Sequence, residues 1–231
     1  MIPNATAPPL FSGAFEAHVT VRATPPHPLS PSPSPSPEGE ALERYAAAHG
    51  MAFVDIVLDR GRTPHQPMLT LRESGALPAV RQAVENAVRR LRVAGFDVTR
   101  TKIEASPWAD GVPDTDEAAT ALGARYYFEH HVKLLLPPGA DTSAPARLAG
   151  PHTAHLSRNA RRLRADGRAE RFVTQRCRLV GRSTAGERLD ALVAELRRSG
   201  HEVASVEREF VVHDSDESLD AGWIAEERTG A

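Results

Sequence analysis

The chain of 231 residues is 41% hydrophobic and 25% charged, the balance of an ordinary globular protein able to bury one large core or two small ones. A net charge of -2 supplies no concentrated positive surface for nucleic acid or membrane, and no apolar run reaches the roughly 20 residues of a membrane span. The single cysteine, Cys177, excludes an internal disulfide, and the N-terminus lacks the basic start and apolar stretch of a signal peptide, so a cytoplasmic location is expected.

In chain order, residues 1–12 read as a flexible start. The alternating "FEAHVTVRA" from residue 15 reads as a strand, and the Pro/Ser repeat within 23–38 reads as a disordered surface insertion that cannot bury a core. Helix-like "EALERYAAAHG" follows, then strand-like 52–59 and 66–72. A helix is expected where Val80, Val84, Ala87, Val88 and Leu91 share one face, stopping at Gly95, before a strand over 96–105. Residues 106–123 read as a linker.

The second half repeats the plan. A strand over 125–136 precedes a short helix or loop at 141–150, and a hairpin turns at "ADG". A helix then opens on a capping box of Thr184 with Glu187, stops at Gly200, and leads into a last strand from residue 201. Aligning the halves pairs His18 with His131, Gln66 with Gln175, Gly95 with Gly200 and Glu104 with Glu209. The expected fold is therefore α+β: two tandem ferredoxin-like βαββαβ repeats with antiparallel sheets, at 13–105 and 124–213, followed by a tail over 214–231. Within that tail the acidic "DSDESLD" reads as a solvated turn, because it lacks the spacing of a calcium loop.

Side chains alternate along a strand, so Phe15, Ala17, Val19 and Val21 face the helices while Glu16, His18 and Thr20 take the open face of the sheet. In the second half Glu129, His131 and Lys133 take that face, and His130 falls on the helix side. Sheet order places Gln66 beside His18 and Gln175 beside His131, and the fourth strands add Arg100, Lys102, Glu104 and Glu209. All the basic residues except Lys102 and Lys133 are arginine, so each retained lysine marks a place where a compact amine is needed. If the open faces turn towards each other, these groups line one cleft for a small anionic or phosphorylated ligand.

The "HVT" motif of His18 and Thr20, in a duplicated two-lobed chain, resembles the two-histidine phosphoesterase superfamily, which carries one H-x-T/S motif per lobe. The resemblance implies that His18 and His131 act as acid and base on a phosphoester. It also implies phosphate binding by Thr20 and, where the second motif reads "HVK", by Lys133 in place of the hydroxyl. Gln66, Gln175, Lys102 and Arg100 complete the expected binding set, and Glu16, Glu129, Glu104 and Glu209 are supporting acid–base groups. No cofactor and no metal are expected on this reading.

Two alternatives stay open. The same glutamates and histidines form an N/O ligand set for zinc, iron or manganese, opposed by the two lysines. A non-catalytic ligand-sensing or RNA-binding module is the other, although the open face lacks the aromatics on which RNA bases stack.

Overall fold

The computed structural model describes residues 9–24, 36–141, 143–159 and 165–224. Eight antiparallel strands, β1 (Ser12–Val21), β2 (Ala52–Leu58), β3 (His65–Ala76), β4 (Val98–Ala105), β5 (Tyr127–Leu136), β6 (Ala154–Asn159), β7 (Ala169–Arg178) and β8 (Glu202–Asp214), make one sheet. Among the described residues five α-helices accompany it: α1 (Pro37–Ala48), α2 (Leu77–Val93), α3 (Asp116–Leu122), α4 (Ser143–Ala149) and α5 (Arg182–Arg198). None is long and apolar enough to cross a membrane.

The strands close into a barrel in the order β1-β3-β2-β6-β7-β5-β8-β4. Each half contributes four neighbouring strands, and the halves join at two seams. At one, Ile56, Val57 and Leu58 pair with Asn159, Arg158 and Ser157. At the other, β4 pairs with β8 from Lys102↔Asp214 to Ala105↔Phe210. The expectation of separate sheets is corrected here. Four strands alone would leave two unpaired edges, and joining both pairs of edges satisfies those backbone groups and abolishes the edges.

Apolar side chains on the outer face of the sheet meet the helices. One core packs Ala17, Val19, Leu69 and Ile103 under Leu42 of α1 and Val80, Val84 and Leu91 of α2. A second packs Val132, Leu134, Leu156 and Val173 under Leu189, Leu192 and Leu196 of α5. The main helices of the two halves end alike: Gly95 and Gly200 take positive φ, and the amides of Phe96 and His201 return to the carbonyls of Leu91 and Leu196 at 3.0 Å each.

Local departures from the sequence reading have physical causes. Of the start expected to be flexible, residues 1–8 lie outside the described residues, and Phe11 is buried against Tyr126 and Phe210. The linker contains α3, capped where the Thr115 hydroxyl accepts from the Ala118 amide. The Thr184 capping box is not used: α5 begins at Arg182 with Gly181 as its N-cap. A Cβ at Gly181 would lie 2.4 Å from the Asp114 carbonyl oxygen, so glycine is needed there by close approach. Most of the Pro/Ser insertion, residues 25–35, lies outside the described residues. Its far end does set a helix: the Ser36 hydroxyl accepts from the Gly39 amide at 3.0 Å, with Pro37 at the first helical position.

Candidate functional site

Because the helices take the outer face, every polar strip points into the barrel. Glu16, His18 and Thr20 arrive from β1, Thr70 and Arg72 from β3, and Arg100, Lys102 and Glu104 from β4. Tyr127, Glu129, His131 and Lys133 come from β5, Thr174 and Arg176 from β7, and Glu209 from β8. Between them lies a cavity of about 320 Å³.

Two matching constellations sit in this hollow. In the first, His18 Nδ1 meets the Thr70 hydroxyl at 3.0 Å, and Nε2 lies 3.0 Å from Glu104 and 3.9 Å from Glu16. Arg72 pairs with Glu16 at 3.1 Å. In the second, His131 Nδ1 meets Thr174 at 2.9 Å, Nε2 lies 3.3 Å from both Glu129 and Glu209, and Arg176 pairs with Glu129. Register places Glu16 opposite Glu104 and Glu129 opposite Glu209, so each half sets two carboxylates side by side with an imidazole between them. Lys102 joins the constellations, with its ammonium 2.6 Å from both Glu104 and Glu129.

The electrostatics follow from this packing. Burial alone would discharge His131, but hydrogen bonds to Glu129 and Glu209, and their charges, raise its pKa to about 10. Burial likewise opposes charge on Glu104, yet Lys102 and then His18 hold its pKa down at about 2. Glu129 is held well below its ordinary value, against burial, by Arg176, Lys102 and His131. Glu209 moves the other way, raised by burial and by the charge of Glu104. His131 is accordingly an imidazolium at neutral pH.

The sequence alignment mispaired the glutamines. The groups opposite the histidines are Thr70 and Thr174, not Gln66 and Gln175. Gln175 points outward, where its Oε1 lies 3.3 Å from His130 Nδ1 and its amide donates to the His152 carbonyl. His130 is thus the helix-side imidazole expected, and burial drops its pKa to about 4. Gln66 does lie inside the barrel, but it donates to Asp220 at 3.0 Å.

Asp220 corrects the reading of the acidic tail. After β8 the chain turns back across the barrel, and Asp220 is buried against Arg100 at 3.1 Å and Arg176 at 2.6 Å. Arg100 also donates to Asp214 at 2.9 Å, and the Tyr127 hydroxyl reaches Asp214 at 3.4 Å. The next anchor is Trp223, whose indole N–H donates to the Leu156 carbonyl at 2.7 Å. Arg100 and Lys102, expected as ligand-binding cations, are therefore spent on internal carboxylates. Lys133 differs: it makes no ion pair among the described residues, and its ammonium lies 5.3 Å from the centre of the Phe172 ring. Thr20 is buried along the cavity wall.

The open face predicted for each sheet is the inside of the barrel. Thr70, Thr174, Arg72, Arg176, Asp214 and Asp220 are the site residues that sequence reading missed. The available signal was the alternation along β3 and β7, which required a register four residues from Gln66 on β3 and one residue from Gln175 on β7.

No family model matches the chain, and no curated protein matches it. Among solved structures, a mutant of chlorite dismutase from Candidatus Nitrospira defluvii aligns over 90% of this chain and 93% of its own, with 12% identity and a TM-score of 0.25. A likeness that slight carries no argument about function.

Proposed function

We propose that the chain is a duplicated ferredoxin-like unit whose joined halves enclose a site for a small anionic ligand, and that the paired histidines move protons on that ligand. The single observation carrying this reading is the double constellation of His18 and His131 with their threonines, glutamates and arginines, facing one hollow. Burying so many charges is expensive unless each is paired, and structural needs are met more simply by apolar side chains. The repetition supports a chemical role.

Each threonine meets its ring at Nδ1, and the Nε2 atoms, held by the glutamates, are assigned the proton transfer. His18 is assigned the base. His131, charged at neutral pH, supplies positive charge and a proton. Lys133 and Thr20, which line the same cavity as the imidazoles, are assigned to hold the phosphate oxygens against the repulsion of Glu104, Glu129 and Glu209. A phosphoester is the ligand class this arrangement and the H-x-T resemblance favour together.

The test is hydrolysis of 2′,3′-cyclic nucleotides. His18→Ala and His131→Ala are each expected to lower the rate by about 10²- to 10⁴-fold, the usual contribution of a positioned acid or base. Activity surviving either change would end the reading.

A second reading, a divalent cation held in the same place, is favoured by one observation: ligand atoms of Glu104, His131 and Glu209 all lie within 4.8 Å of one another. Lys102 stands against it, since its ammonium already neutralises Glu104. Metal analysis of the purified protein, together with activity in the presence of a chelator, separates the two readings.

A further inference from the structure

The hollow has a second wall that the acid–base reading leaves unused. Val54, Ile56 and Leu58 of β2, Met68 of β3, Phe172 of β7 and Trp223 of the returning tail line the cavity with apolar surface. None belongs to either helix-covered core, and Val54, Ile56, Met68 and Phe172 remain part-exposed inside the barrel. Apolar side chains kept facing a hollow stabilise the protein little when it is filled with water. They gain roughly 25 cal/mol per Å² once an apolar partner covers them.

Lys133 stands where this wall meets the charged one. On β7 it pairs with Phe172, over whose ring its ammonium sits, and on β8 it pairs with Ser205. A lysine on the cavity wall that makes no ion pair among the described residues is a place for a ligand's anionic group. A cavity of about 320 Å³ lies at the small end of the range for organic ligands.

We propose that the ligand is a small organic anion with an apolar, aromatic-sized body, its body on the wall of Ile56, Met68, Phe172 and Trp223 and its single carboxylate or phosphate at Lys133. This rests on the hollow being a ligand site but not on any acid–base chemistry there. Free phosphate or a bare sugar phosphate would leave the apolar wall wet.

Calorimetric titration of the full chain with 1-naphthyl phosphate, 1-naphthoate, 1-naphthol and inorganic phosphate tests it. At least one naphthyl anion is expected to bind tenfold or more tightly than both naphthol and phosphate, and the tighter of the two anions identifies the head group. Lys133→Ala should remove that tenfold preference over naphthol, and Ile56→Ala should weaken the anion several-fold, each with an unchanged melting temperature. Phosphate binding as tightly as the naphthyl anions, or no binding of either anion, would overturn the proposal. His18→Ala protein separates the two ideas: naphthyl anions that bind it normally support the ligand class even if no ester is hydrolysed, whereas cyclic-nucleotide hydrolysis without naphthyl binding sinks the ligand class alone.

Discussion

Glu129→Ala is expected to destabilise the protein by about 3–5 kcal/mol, the range for removing one member of a buried ion pair. Glu129 touches three cations at once: Lys102, Arg176 and His131. All three are largely buried inside the barrel, with only 12%, 7% and 23% of the Lys102, Arg176 and His131 side chains exposed. Each keeps one other partner, Glu104, Asp220 and Glu209 respectively, which is why the loss is not larger still. The contrast is Asp97→Ala, which breaks an exposed pair with Arg22 and should cost less than about 1 kcal/mol. Urea denaturation of both variants measures the difference. A Glu129→Ala loss no greater than that of Asp97→Ala would mean that the interior network is solvated and does not hold the halves together.

Stability should also fall on the alkaline side. Folding raises the His131 pKa from about 6.5 to about 10, so the folded state favours the protonated ring. The stabilisation is whole below about pH 6.5, where the ring is charged in both states. It declines as pH rises, because only the folded state then retains the proton, and it is gone once pH passes about 10. The contribution is on the order of 5 kcal/mol. Urea midpoints measured from pH 6.5 to 9.5 in the presence of a chelator should decline in the wild type and flatten in His131→Gln. Equal slopes in the two proteins would show that the ring is not held as a cation.

The sequence announced its strands and main helices through periodicity, because apolar side chains had to meet helices every second residue on β1, β4 and β5. The same alternation delivered His18, His131, Glu16, Glu129, Glu104, Glu209 and Lys133 to the inner face. What it could not supply was register. Two glutamines of like appearance suggested an alignment that put Gln175 inside, whereas β5 and β7 pair Thr174 with His131 and turn Gln175 out towards His130. Closure was hidden for a related reason: the pairing of β2 with β6 and of β4 with β8 is a contact between distant edges, and no local pattern encodes it. Asp220 was lost in an acidic stretch that resembles any solvated turn. Its buried partners Arg100, Arg176 and Gln66, 120, 44 and 154 residues away, distinguish it.

Nuclear magnetic resonance of the imidazole nitrogens tests the shared hollow most directly, with His18 and His131 followed during titration with 1-naphthyl phosphate. Both rings should shift along one saturation curve with one dissociation constant, since Glu104 lies beside His18 and within 4.8 Å of the ligand atom of His131. A response confined to one ring, or two rings saturating at different concentrations, would contradict a single site between the halves.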